Sequence, residues 1–271
     1  MSRRIERLPT PQGVSAGQTA TLNIPLGATF HRIDLRLKAS AANGTPTDVT
    51  EANWKNYIGD IRLMVNGNTQ IEVTAEYLIQ RAKFHGYTLE DGVLPIFLSS
   101  PWARTQGGED QTSYGTIGMQ SFTLEVEFKT GKKIGDFKVY AEQSAPENYG
   151  PHLCIQRLAK SFAVTGIDEI ADLPNGPFNM LNLDVMDANI DEIEIFADNN
   201  RVHVSDKAIR QNGHKIAKRS KQSGMTHLDF IQQDRIEGSM PMHWQDFRLK
   251  LDFTTAPDAY NIYITTIKGA A

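Results

Sequence analysis

Five carboxylates crowd one short stretch of this chain, Asp187, Asp191, Glu192, Glu194 and Asp198. Carboxylate oxygen is the hard donor that calcium takes, so these residues are the candidate ligands of a structural calcium ion. Glu192 and Glu194 alternate with Ile193 and Ile195, and the same spacing also describes the wet face of a strand. A second cluster is cationic: Lys207, Arg210, His214, Lys218 and Lys221 recur at helical spacing, with Ile209 and Ile216 on another face. With Arg3, Arg4 and Arg7 near the start of the chain, these cations are candidates to face a membrane surface or another phosphate-bearing partner; solvated surface charge is the plainer account. Gly213 costs such a helix about 1 kcal/mol, and Ser205 is its expected N-cap.

Catalytic constellations are harder to assemble. The seven histidines, His31, His85, His152, His203, His214, His227 and His243, never come closer than eleven positions. The two-residue spacing that puts paired metal ligands on one strand face is therefore absent, which argues against a metalloenzyme on duplicated β-sandwiches. There is no nucleophile elbow, phosphate-cradling glycine loop or zinc-type cysteine pair. The expectation is a protein that is no enzyme and needs no catalytic cofactor. A carbohydrate-binding or carbohydrate-active protein on two β-sandwiches is the alternative, although Trp54, Trp102 and Trp244 lie too far apart in sequence to suggest one stacking platform.

The elements that must position these groups are strands. With 271 residues, 40% hydrophobic and 22% charged, the chain is long enough for two folded domains. Its net charge of -4 gives no global attraction for nucleic acid, and no sequence-specific nucleic-acid contact is expected. One cysteine, Cys154, precludes an internal disulfide and reads as a buried thiol. No apolar run follows the N-terminal arginines and none approaches ~18 residues, so the expectation is neither a signal peptide nor a spanning helix.

Apolar residues alternate with period two at Phe30, Ile33, Leu35 and Leu37, at Ile61, Leu63 and Val65, and at Phe122, Leu124, Val126 and Phe128. The chain then repeats itself. Ile24-Pro25-Leu26-Gly27 meets Leu173-Pro174-Asn175-Gly176, and Phe30 meets Phe178. Ile61 meets Ile193, and the turn Asn66-Gly67-Asn68 meets Asp198-Asn199-Asn200. Gln120 through Phe128 meets Gln245 through Phe253 at a constant offset of 125 positions, and Phe137 and Val139 meet Ile262 and Ile264 at the same offset. Such phase agreement fixes which face is buried in each copy. The fold expected is all-β: two tandem eight-stranded jelly-roll sandwiches with short helices in the connections. An N-terminal arm over 1–12, a first jelly roll over 13–143, a linker over 144–164 and a second jelly roll over 165–271 are expected. The first copy's strands are placed near 17–24, 30–38, 58–66, 69–75, 93–99, 112–117, 120–129 and 135–142. Two polar insertions, 39–57 and 100–118, read as exposed loops.

The turn Ile24-Pro25-Leu26-Gly27 with Ile33-Asp34-Leu35-Arg36, the stretch Glu169-Ile170-Ala171-Asp172-Leu173-Pro174, and Asp246-Phe247-Arg248-Leu249-Lys250-Leu251-Asp252 resemble the major capsid proteins of corticoviruses. Those are membrane-containing icosahedral bacteriophages of the lineage shared with tectiviruses and adenoviruses. The resemblance implies two jelly rolls side by side and a homotrimer forming a pseudo-hexagonal capsomer. It also implies neighbouring capsomers, a vertex or penton protein and an internal viral membrane as partners, with the protein made soluble in the host cytoplasm and ending in the virion shell. Calcium stabilisation belongs to the resemblance too, without particular ligands.

Overall fold

The computed structural model describes residues 3–103, 105–232 and 234–269. The chain forms two compact units. One holds residues 3–83, Tyr87–Ile155 and Gly269; the other holds Phe84–Gly86 and Gln156–Lys268.

The first unit carries β1 (Arg4–Arg7), β2 (Thr19–Asn23), β3 (Thr29–Ala41), β4 (Thr47–Asp48), β5 (Ile58–Val65) and β6 (Asn68–Thr74). Helix α1 (Ala75–Phe84) follows, then β7 (Val93–Phe97), α2 (Gln106–Asp110), β8 (Tyr114–Gly115), β9 (Phe122–Phe128) and β10 (Lys132–Ser144). One sheet has β10 between β1 and β3, with β4, β7 and β8 also pairing β3. The other runs β2-β9-β5-β6, and Ile155 of β11 (His152–Phe162) pairs in parallel with Ile71 of β6. Rings from the two sheets meet in the core, Phe30 on Phe122 at 5.3 Å and Phe128 on Phe137 at 5.2 Å.

The second unit carries β12 (Gly166–Ile170), β13 (Asn179–Val185), β14 (Ile190–Ala197), β15 (Asn200–Asp206), α3 (Lys207–Ile216), β16 (Thr226–Asp229), β17 (Met240–Pro241), β18 (Phe247–Phe253) and β19 (Asp258–Lys268). One sheet is β12-β18-β14-β15; in the other β13 pairs with β16, β17 and β19. Leu183 and Ile264 from one sheet and Ile193 and Leu249 from the other share a single core.

The repeat seen in sequence is a repeat of register. Ile61 faces Val126, Leu63 faces Leu124 and Val65 faces Phe122; in the second unit Ile193 faces Leu251, Ile195 faces Leu249 and Ala197 faces Phe247. Leu37 faces Phe137 as Val185 faces Ile262. Even the irregularities coincide, with register shifts between Ile58 and Ile61 and between Ile190 and Ile193. The hairpin turns match in chemistry. Asn66 and Asp198 both have positive φ, at 51° and 46°. The Oδ1 of Asn66 accepts from the amides of Gln120 and Ser121 at 2.7 and 3.1 Å; that of Asp198 accepts from Gln245 and Asp246 at 2.9 and 3.0 Å. A short polar side chain tolerates the left-handed backbone and satisfies two amides of the facing connection.

Several expectations shift. Phe178 does not take the core position of Phe30: a bulge between Met180 and Asn182 changes the phase of β13, so Met180 is buried and Phe178 stays half-buried at the rim. Residues 4–7, expected within an arm, form β1 on the edge of β10. The stretch 144–164, expected as a linker, contains β11. The insertions 39–57 and 100–118 are anchored rather than wholly exposed, because Trp54 and Tyr114 are fully buried. Cys154 is a buried thiol outside any disulfide.

Because Phe122 and Phe247 occupy equivalent buried positions, Phe122→Ala or Phe247→Ala is expected to cost about 3–5 kcal/mol, and Phe178→Ala less than about 2 kcal/mol. Chemical denaturation of the three variants checks this; equal losses at Phe178 and Phe247 would contradict the bulged register.

Candidate functional site

The acidic run is spread out by the β14–β15 hairpin. Glu194 accepts from Arg201 at 2.8 Å, Asp198 is committed to the turn, and Asp187 Oδ1 accepts from the amide of Asn189 at 2.6 Å. Asp191 and Glu192 are exposed on β14. Among the described residues no three histidine, cysteine or acidic side chains gather where a metal ion could be held. The five carboxylates do not fit a calcium site within one chain.

The expected cationic stripe is split, with Arg210 and His214 of α3 inward and Lys218 and Lys221 exposed beyond the helix end. Arg210 is buried, not phosphate-facing: its guanidinium donates to the carbonyls of Asp191 at 3.0 Å, Ser205 at 2.6 Å and Ile190 at 2.9 Å. Those bonds close the strand ends where α3 leaves the sheet. His214 is buried on the same side, while Ile209 and Ile216 are exposed. Asp206, not Ser205, caps the helix, its Oδ1 accepting from the amide of Ile209 at 2.8 Å. Lys207 donates to the Ala188 carbonyl at 3.1 Å, whereas Lys218 and Lys221 are exposed. In the first unit Arg3 is tied to Glu109, Asp110 and Glu142 at 2.6, 2.5 and 3.3 Å. Arg4 and Arg7 remain exposed beside an open groove of about 700 Å³ that Pro25 and Leu26 also line. The outward cations are therefore Arg4, Arg7, Lys218 and Lys221.

Sequence reasoning missed a buried polar network in the second unit. Asp184 on β13 and His227 on β16 are register partners, and His227 Nδ1 lies 2.8 Å from Asp184 Oδ1. The ring of Phe84 stacks on His227 at 3.8 Å and meets His214 edge-on at 5.1 Å. Nearby, Arg219 lies between Asp229, 3.5 Å away, and Asp234. Burial holds the His214 imidazole neutral down to about pH 4, helped by the neighbouring His227 and Arg210. Burial also pushes the Asp229 carboxyl up to about 6, opposed by the Arg219 guanidinium. The available signal was an acid, Asp184, set between the apolar Leu183 and Val185 of a strand buried on both faces.

The two units repeat one strand pairing, and comparison with known proteins names the family to which such a chain belongs. Residues 5–144 match the viral coat protein P2 N-terminal domain, and residues 154–270 match the viral coat protein P2 C-terminal domain. The chain belongs to the viral coat protein P2 family. No curated protein matches the coat protein by sequence. Among solved structures, the major capsid protein P2 from bacteriophage PM2 is similar with a TM-score of 0.86 and 20% identity, covering 100% of this chain and 98% of that one. The structure of Sulfolobus turreted icosahedral virus gives 0.68 and 12%, covering 98% and 91%. The PBCV-1 virus capsid gives 0.65 and 10%, covering 99% and 96%. At these identities the likeness is one of fold, and the fold is the double jelly roll. Family membership favours the capsid reading over the carbohydrate one: the family is a structural coat protein, a component of the virion shell built from self-associating subunits.

In the coat protein, Asp229 and His214 act on stability with opposite signs. The raised pKa of Asp229 means the folded state binds a proton that the unfolded state does not between about pH 6 and the usual carboxylate range, so acidification through 6 relieves a buried charge. The depressed pKa of His214 means the unfolded state takes the extra proton below its ordinary value near 6.5, so stability is lost as pH falls toward 4. His214→Gln removes the acid-destabilising limb, and its stability at pH 4 relative to pH 7 is expected to improve on that of the native protein by on the order of 2 kcal/mol. Urea denaturation at the two pH values measures it; an unchanged pH dependence in His214→Gln would contradict the buried neutral imidazole.

Proposed function

We propose that three copies of this coat protein close into a pseudo-hexagonal capsomer, and that such capsomers tile an icosahedral bacteriophage shell around an internal membrane. The observation that carries this reading is the duplicated register: one chain presents two sandwiches with the same strand pairing and the same turn chemistry. A closed ring needs heterologous contacts, one edge of a subunit meeting a different edge of the next. Two similar sandwiches per chain give three chains six comparable edges, which is the symmetry of a tile that packs in a sheet.

Neighbouring capsomers are then the second partner, and a separate vertex protein fills the positions where six-fold packing fails. Among the described residues no helix is long and apolar enough to cross a membrane, so contact with the enclosed bilayer belongs to surface groups. The exposed cations Arg4, Arg7, Lys218 and Lys221 are the residues proposed to meet lipid phosphate.

Light scattering near neutral pH tests the assembly. A species of about three times the 30.2 kDa chain mass is expected; a strict monomer or a two-fold dimer at capsid-like concentration would overturn the reading.

A further inference from the structure

The duplication supplies an internal reference for what should be covered. Strands β6 and β15 correspond at an offset of 132 positions, with matching register shifts after Leu63 and after Ile195, and each runs directly into a helix of ten residues. Position by position the two elements then part in polarity. Gln70 and Glu72 on β6 correspond to Val202 and Val204 on β15, which are 44% and 46% exposed. On the helices, Tyr77 and Phe84 of α1 are 0% and 1% exposed, while their counterparts Ile209 and Ile216 on α3 are 64% and 76% exposed. Inward positions are reversed as well, Leu78 and Ala82 corresponding to Arg210 and His214.

Two further differences point to a missing cover. β6 has a neighbour, Ile155 of β11, whereas β15 is the free end of its four-stranded sheet. Phe84, the counterpart of Ile216, is held inside the second compact unit, stacked on His227. A free strand edge flanked by outward valines and isoleucines is a liability that folded proteins blunt with charge or cover with another chain. The turned-out residues here are apolar and lie on adjoining elements, which is the composition of an interface centre, with the exposed Lys215 available for its polar rim.

We infer that the outward face of β15 and α3, centred on Val202, Val204, Ile209 and Ile216, is a self-association surface that seats a second copy of this chain. A second copy is the fitting occupant because the family builds shells from its own subunits. The counterpart positions of the first copy, Tyr77 and Phe84, are covered, which marks Ile209 and Ile216 as the places where a cover is missing. The inference rests on the assembly reading above and assigns it a surface.

The experiment compares the native protein with Ile209→Asp/Ile216→Asp and with Ile167→Asp, an exposed residue on β12 at the opposite edge of the same sheet. Native mass spectrometry and sedimentation across a dilution series give the concentration at half-assembly, with circular dichroism verifying the fold. The expected result is at least a tenfold rise for the double variant and little change for Ile167→Asp. Native protein that assembles while the double variant matches it overturns the assigned surface and leaves the assembly reading standing. Native protein that stays monomeric overturns both. Should the double variant fail to fold, hydrogen exchange of the native protein decides: slower exchange over 200–216 on assembly supports the surface, and unchanged exchange there overturns it.

Discussion

Everything in this molecule depends on the phase of paired strands. Each sandwich is closed by side chains that point inward only if β5 meets β9, and β14 meets β18, in one particular register. A slip of a single residue would send Ile61, Leu63 and Val65 into solvent together. The turns that set the register are therefore under tighter chemical constraint than their exposure suggests. Asn66 and Asp198 combine a left-handed backbone with a side-chain oxygen that caps the facing connection, and one residue type in each copy does both. Removing that oxygen leaves two amides to find water at the place where the pairing starts.

The same constraint explains what was legible before any coordinates. Alternation along β9 and β18 is read directly from Phe-Thr-Leu-Glu-Val-Glu-Phe and Phe-Arg-Leu-Lys-Leu-Asp-Phe, because period-two burial leaves its mark on every second residue. The eight expected strands of the first copy followed from it. What sequence hid were the departures from periodicity. A bulge is one extra residue with no composition of its own, so the displacement of Phe178 by Met180 left no trace. Helical spacing shows that α3 has two faces but not which one is buried, and a cationic face is ordinarily the solvated one. Arg210 reversed that assignment because three carbonyls at the strand ends needed a donor more than water needed a guanidinium. The carboxylate run looked like a ligand set because sequence proximity ignores the hairpin, which sends alternate residues to opposite faces.

Divergence between the copies is concentrated where each sandwich ends. Core pairs such as Ile61 with Ile193, Leu63 with Ile195 and Val126 with Leu251 differ by little or by apolar exchange, whereas β6 with α1 and β15 with α3 have exchanged inside for outside. In the second unit the inward positions hold His203, Ser205, Arg210 and His214, and the adjoining interior contains the Asp184–His227 and Arg219–Asp229 pairs. Buried charge of this kind gives little net stability over apolar packing of the same shape, but breaking one member of a pair is costly. The arrangement thus fixes how α3 docks on its own sheet without using apolar side chains to do so.

That economy leaves the apolar residues of α3 for another purpose. A helix has one set of isoleucines, and if the inward face is held by hydrogen bonds and ion pairs, those isoleucines can face away from the unit. A ring of duplicated subunits, as proposed, would use this asymmetry. Two identical sandwiches would offer the same sides at both ends of the chain and could pair in several ways, including open chains that never close. Making one copy's helix apolar outward and the other's apolar inward distinguishes the two sides while the shared register keeps their shapes alike. In the proposed capsomer, similar shape would let six sandwiches fit around a ring, and unlike chemistry would specify which side meets which.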